Sequence, residues 1–525
     1  MRIRFPIPLV VAVAAVLAIG VAGSAAALVS GSGAHASITQ LKVGLQYPIS
    51  TFDASQTIVG YQTYALYSEN LVQSGPDGKL HPWLAASWRQ RNPTTYVYNL
   101  RHGVKFWDGN ELTAEDVAYS LNYYRQPKSL ALHWFTSVKD VKAEGRYTVV
   151  VTLKHPDASW PVQPAVSPGI FEKSFHQAHK KTFGQPGTLI MATGPWKLES
   201  LNPTSGAELV ANENYWHGKV NIDRISFKFF ADETSEALAF RGGAIDLAFP
   251  SSVTSFAATA ATKIINVPGV TPQYLALDIV DPHWSDIHVR RAVAYAVNRQ
   301  AIGKAYGAPT IPISTFVPPK QLYSFAPRRA VDALLKSIPQ YPTNLAKARA
   351  EMAKSKYPHG FKGDFNTLAG YGYREMAQVI AAELKPIGIN LTVKTVPVPA
   401  WLALLSGPDR SKSGIQLVHP DSYTLDPAER PNANLGSWNA KAGQLNTANW
   451  APKDVDGLIT AGIRTLDPAK RLAVYGQLLK RVATDVPYVP LFTIPSSLAL
   501  SKKFSWPTFN FTFNTHPWAL EIKPA

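Results

Sequence analysis

The segment Leu417-Val418-His419-Pro420-Asp421-Ser422-Tyr423-Thr424-Leu425-Asp426-Pro427 concentrates more polar chemistry than any other stretch of the chain. It follows the apolar run Gly414 to Val418. A strand there would deliver Asp421 and Tyr423 to its end, where α/β lobes gather ligands. A carboxylate in that place can receive an ammonium group. The same residues also suit a plain turn, because Asp-Ser and Asp-Pro favour turns.

Other chemistry is sparse. His176 and His179 stand three apart in Phe175-His176-Gln177-Ala178-His179-Lys180-Lys181 and could share a ligand on a helix. Two lysines alongside and no nearby acid favour a solvated surface instead. There is no Gly-x-Ser-x-Gly elbow, His-Glu-x-x-His, Gly-x-x-x-x-Gly-Lys-Ser/Thr loop or Gly-x-Gly-x-x-Gly turn. The acids sit mostly at caps and turns, which accounts for them without paired carboxylates of the glycosidase kind.

Composition narrows the classes further. With 525 residues the chain exceeds the ~250–300 at which one core stops growing, so two or more lobes are expected. Cysteine is absent, which excludes disulfides, thiolate metal sites, a Cys nucleophile and a cysteine-linked lipid anchor. Net charge is +16, from 52 basic and 36 acidic residues, yet only 17% of residues are charged. Scarce acids, not basic clusters, make the excess, which argues against nucleic acid as a partner. That balance fits two settings: an anionic membrane face, or an acidic medium. Neither implies a cofactor.

Arg2 and Arg4 precede an uncharged run, Ile7 to Val29, and Ala34-x-Ala36 fits a small-residue cleavage site. Residues 1–36 therefore read as a signal peptide, or as a retained anchor, since the run is long enough to span a bilayer. Both place the remainder outside the cytoplasm. No later segment is apolar enough to cross a membrane.

The elements that must position any site are mixed α and β. Ile38 to Tyr47, Thr95 to Leu100 and Tyr147 to Leu153 read as strands. Thr113-Ala114-Glu115-Asp116 opens a helix, with Val117, Leu121 and Tyr124 on one stripe. Ile225, Phe227 and Phe229 alternate as a strand. A helix from Glu233 to Arg241 is stopped by Gly242-Gly243, and Ile245 to Phe249 returns as a strand: a β–α–β unit. Asp286 opens a helix running to Tyr306-Gly307. Leu345 to Lys354 and Arg374 to Leu384 are helices, Ile389 to Val393 a strand, and Asp467-Pro468 starts a last helix. Gly307 to Tyr341 is Pro-rich and reads as an irregular loop wrapped on a lobe.

Seven blocks, in order, resemble one family. Pro82-Trp83-Leu84-Ala85-Ala86-Ser87-Trp88 leads into Tyr98 to Gly109 and Leu112-Thr113-Ala114-Glu115-Asp116-Val117. Thr193-Gly194-Pro195-Trp196, Asn212-Glu213-Asn214-Tyr215-Trp216 and Arg241 to Asp246 follow. His288 to Arg299 and Val486-Pro487-Tyr488-Val489-Pro490-Leu491-Phe492 complete the set. They are similar to the extracellular solute-binding proteins of family 5, the oligopeptide- and dipeptide-binding components of ABC importers. Departures include the missing lipobox cysteine, Ala192, Asn298, and a stretched "A-D-Y-x-D-P" at Asp421 to Pro427.

The resemblance implies an α/β, two-lobed, periplasmic-binding-protein-like fold of type II with an inserted α+β domain. One lobe would combine 37–65, 190–271 and 492–525, the insert 66–189, and the second lobe 272–491. The crossings at Val270-Thr271-Pro272 and Val489-Pro490-Leu491 would be the hinge. The implied function is capture of a peptide or similar solute and delivery to ABC permease subunits by a monomer that binds and does not catalyse. Asp421 matches the aspartate that meets a peptide's ammonium, with Asp426 its competitor. Tyr423, Trp438, Tyr47 and Tyr371 are the expected aromatic walls. A secreted hydrolase, or a receptor for a metal chelate, sugar or cell-wall fragment, are the alternatives.

Overall fold

The structure is a computed structural model. It describes residues 37–525 except 58–59, 258–260, 369–371, 398–399, 402, 405–413, 421, 423 and 442–443. The expected signal or anchor, 1–36, lies outside the described residues.

A nine-stranded mixed sheet organises the molecule. Its strands are β1 (Ile38–Leu45), β2 (Trp196–Asn202), β3 (Gly206–Ala211), β4 (Ile222–Phe229), β5 (Leu247–Ala248), β6 (Thr262–Leu277), β7 (Ile311–Pro312), β8 (Ile415–Val418) and β9 (Tyr488–Ser501). The order is β8-β6-β9-β5-β1-β4-β3-β2, with β7 also on β9. β1 pairs in parallel with β4 and β5 on its two sides. The helix Glu233–Arg241 connects β4 to β5, so the expected β–α–β unit is present. Asp232 caps that helix by accepting from Ser235 N, and Gly243 turns the chain at φ 72°.

β6 and β9 are long because they serve two cores. Ile265, Val267, Leu498 and Leu500 belong to a core built from residues 38–229 and 498–522. Further along the same strands, Leu275, Leu277, Val489 and Leu491 enter a second core, and Tyr274, Ala276 and Tyr488 a third. Between these stretches the β6–β9 register shifts, from Val267 to Thr271. Gly269 sits in the shift, and a Cβ there would lie 2.2 Å from the Ile494 carbonyl oxygen. Only glycine lets the two backbones come that close.

A four-stranded antiparallel sheet, Ala85–Asn92, Thr95–Leu100, Thr148–Leu153 and Val138–Ala143, carries the helix Ala114–Tyr124. Thr113 and Asp116 form the capping box that starts this helix. Val117, Leu121 and Tyr124 are buried in the first core, as their spacing predicts.

Three expectations need correction. The helix opened by Asp286 does not run to Tyr306. It ends at Ala296, and Asn298 caps a new helix, Arg299–Tyr306, by accepting from Gln300 N and Ala301 N. The Pro-rich stretch 307–341 is not irregular throughout. It holds the helices Pro319–Tyr323 and Arg328–Ser337, whose N-terminal ends carry Pro318, Pro319 and Pro327. Proline at the first turn starts a helix, because that turn's N–H has no partner within the helix. His176 is not on a solvated surface. It is buried, bonded to the Tyr119 hydroxyl at 2.8 Å, and packed among Tyr123, Phe171 and Phe183.

Candidate functional site

A cavity of about 1200 Å³ opens between the wall made by the first core and the wall made by residues 419–464. That exceeds the ~300–1,000 Å³ of ordinary small-ligand clefts. One wall uses the residues just after β1, the 3-10 helix Leu130–Phe135 and the segment Phe511 to Pro517. The other uses the residues after β8 and the helix Glu429–Asn434. The floor is Ile494 to Ser497 of β9.

Large apolar side chains are left open to this space. Tyr47 is 45% exposed and Trp438 40%, and both line it, as do the exposed Leu130 and Leu445. Trp438 sits on the short 3-10 helix Ser437–Asn439, its indole folded over Gly436, where a Cβ would come within 2.4 Å. The strand expected before Asp421 is β8, and its chain continues into His419 and Pro420, which line the cavity. Ser422 also lines it and is held by its N–H to the Thr271 hydroxyl at 3.1 Å. Asp421, Tyr423 and Tyr371 lie outside the described residues.

Asp426 faces elsewhere. Its two oxygens accept from the Arg471 guanidinium at 2.8 and 3.0 Å, and Oδ1 also accepts from Ala428 N at 2.9 Å. The Arg471 side chain is buried and that of Asp426 is 12% exposed.

Sequence reasoning passed over Glu69, which is buried at the cavity edge. Its Oε1 accepts from Trp83 Nε1 at 2.8 Å and from the Tyr215 hydroxyl at 2.7 Å. Its Oε2 accepts from the Thr193 hydroxyl at 2.7 Å and from Trp216 Nε1 at 2.9 Å. Burial pushes its pKa up to about 7, against the pull of the four donors. Three of the seven sequence blocks thus meet on one carboxylate.

A second carboxylate, Glu236, lines the cavity beside Gln46 and Tyr47. Arg430 and Arg464 stand on the other wall, with Arg430 donating to the neighbouring Glu429. No cluster of metal-ligating side chains occurs among the described residues. No helix among them is long and apolar enough to cross a membrane.

Several contacts tie the two walls together. Ala158 N donates to the Ile463 carbonyl at 2.8 Å. Lys320 Nζ lies 4.0 Å from the Phe511 ring, and Val270, Leu425 and Phe511 form a small shared core.

Comparison with known proteins gives a consistent picture. The family model described as "Bacterial extracellular solute-binding proteins, family 5 Middle" matches residues 79–442. The chain is 25% identical over 488 residues to the glutathione-binding protein GsiB of Salmonella paratyphi A, covering 89% of this chain and 91% of that one. Among solved structures it superposes on the oligopeptide-binding protein AppA of Bacillus subtilis in complex with a nonapeptide. That match has TM-score 0.74 at 19% identity, covering 94% and 100% of the two chains. It superposes likewise on the ABC transporter substrate-binding protein CtaP of Listeria monocytogenes, TM-score 0.78 at 20% identity, covering 93% and 99%. The fold is therefore the mixed α/β, two-lobed one that the sequence blocks imply.

Proposed function

The chain belongs to the bacterial extracellular solute-binding proteins of family 5, and from that premise we propose that it captures peptides or similar small solutes in the cleft and delivers them to an ABC permease. As a solute-binding protein it performs no covalent step. The lobes are taken as 37–65 with 190–271 and 492–525, carrying the insert 66–189, and 272–491. The hinge lies where β6 and β9 cross from one core to the other. Residues 1–36 act as the export signal or as an anchor, and the remainder works as a monomer in the periplasm or at the outer face of the cytoplasmic membrane.

The observation that carries this reading is the cavity itself. It is large, walled by exposed aromatic and aliphatic side chains, and bounded by two sets of cores joined through paired strands. Such an arrangement can open and shut as a hinge. Varied ligand groups are accommodated where ordered waters fill the mismatches. Asp421 is proposed to meet the ligand's terminal ammonium, since Pro420 and Ser422 on either side of it line the cavity. Tyr47, Trp438, Tyr371 and Tyr423 would serve as its walls. Asp426 would act indirectly, through Arg471 and its own turn.

Mass spectrometry of ligand released from gently purified protein, followed by calorimetry with that compound, tests the reading. A released peptide that rebinds and is recovered unchanged is the expected result. Steady cleavage of the bound compound would overturn it.

A further inference from the structure

The helix Glu233–Arg241 turns Glu236 inward against β1, where it is 1% exposed. Gly44 of β1 makes room for it: a Cβ there would lie 2.6 Å from Glu236 Oε1 and 2.6 Å from Ile245 Cδ1. Glu233, one turn earlier, is satisfied. It accepts from Gln46 Nε2 at 3.1 Å and from Ser252 N at 2.9 Å. Glu236 Oε2 is not: it has no hydrogen-bond partner among the described residues. Gln46 also reaches the Glu236 carboxylate, but neither glutamate has an ion-pair partner among the described residues, and the charge that acts on Glu236 is the like charge of Glu233.

Burying an anion without a counter-charge is strongly unfavourable. The unmet group lies in the cavity wall, and Tyr47 and Tyr306 line the same space. Aromatic faces beside a carboxylate suit an organic cation, which gains from both the charge and the rings. The opposite wall, with Arg430 and Arg464, has the reverse sign.

From this geometry we infer that Glu236, backed by Glu233 and Gln46, forms a subsite for an organic cation carried by the ligand, an ammonium or guanidinium group. The inference rests on the solute-capture reading above; a basic side chain as the source leaves Asp421 its role there, and the amino terminus as the source moves that role to Glu236. The cation can come from the ligand's amino terminus or from a basic side chain, and the probes tell these apart.

The test compares wild type and Glu236→Gln by calorimetry with alanyl-lysyl-alanine, alanyl-norleucyl-alanine and N-acetyl-alanyl-lysyl-alanine, and by thermal unfolding with 1,5-diaminopentane. If the side chain supplies the cation, wild type prefers the lysyl over the norleucyl peptide by about tenfold or more, and Glu236→Gln removes the preference. If the amino terminus supplies it, acetylation costs wild type a similar factor and costs Glu236→Gln nothing. Wild type that discriminates among the peptides in neither way, or a variant that keeps the wild-type discrimination, overturns the subsite while leaving solute capture intact. If no peptide binds but 1,5-diaminopentane stabilises wild type and not the variant, the subsite stands and the peptide reading falls. Binding of none of the four probes overturns both.

Discussion

Asp426 and Arg471 are joined by two side-by-side hydrogen bonds of 2.8 and 3.0 Å, the guanidinium spanning both carboxylate oxygens. Arg471 is buried and Asp426 largely so, and removing the carboxylate leaves the guanidinium uncompensated. Asp426→Ala is expected to lose about 3–5 kcal/mol of stability. Replacing the pair together, as Asp426→Ala with Arg471→Met, is expected to recover most of it. Urea unfolding of the three proteins checks this. A single variant as stable as wild type but unable to bind ligand would instead make Asp426 a ligand contact.

Asp421→Ala has a different expected signature: intact fold, weak binding. A closed-off carboxylate–ammonium pair that loses one member costs about 2–5 kcal/mol. That corresponds to roughly 30-fold to several-thousand-fold in affinity for free peptides. N-acetylated peptides should bind wild type as poorly as free peptides bind the variant. Calorimetry with an identified ligand decides, and unchanged affinity in Asp421→Ala would remove the ammonium contact from this residue.

Glu69 and Glu236 predict opposite responses to the same isosteric change. Burial pushes each carboxyl from 4.5 up to about 7. Between those values the folded protein holds a proton that the unfolded chain has released. Each group's contribution to stability therefore falls as pH rises from about 4.5 to about 7, then levels off. For Glu236, Glu→Gln deletes that loss, so ligand-free Glu236→Gln should be more stable than wild type at pH 8 by up to about 3 kcal/mol. For Glu69, all four lone pairs are taken by donors, two of them tryptophan N–H groups that cannot reverse. An amide nitrogen would face two of those donors. Glu69→Gln should cost about 1–3 kcal/mol at pH 8. Thermal unfolding at pH 5 and pH 8 reads both, and two shifts of the same sign would contradict this account.

Gly269 is a further target. A methyl group there would press on the Ile494 carbonyl, where β6 and β9 change register. Gly269→Ala is expected to force the strands apart at the crossing and shift the balance between open and closed forms. Small-angle scattering with and without ligand would show it as a smaller ligand-dependent change in radius of gyration than in wild type.

Local structure was legible where its cause is local. The capping box at Thr113, the helix stop at Gly242-Gly243 and the cap at Asp467 depend on residues a turn apart, and all are present. What escaped depends on distant partners. His176 has lysines for sequence neighbours, but its real neighbours are Tyr119 and Phe171. The partner of Asp426 lies 45 residues on. Trp83, Thr193, Tyr215 and Trp216 were each quoted as family residues, yet nothing in their spacing announces that all four address Glu69. Glu236 did leave a trace. A lone glycine inside a strand, Gly44, signals a close approach. A glutamate on the same helical face as Ala237 and Phe240 signals a carboxylate turned inward.

The place of β9 within the sheet has a consequence for how the protein is made. β9 lies between β6 and β5, so the sheet's middle is assembled from residues 38–45, 247–248, 262–277 and 488–501. At ~5–20 residues per second, the ribosome needs on the order of a minute to travel from the first of these strands to the last. Once β5 and β6 are made they present unpaired edges until β9 follows, and the cores that share β9 cannot be finished before it. Pairing over such sequence distances is slow even once the whole chain is free. The large sheet is therefore completed only near the end of synthesis. Its open edges must be shielded from mispairing until β9 arrives.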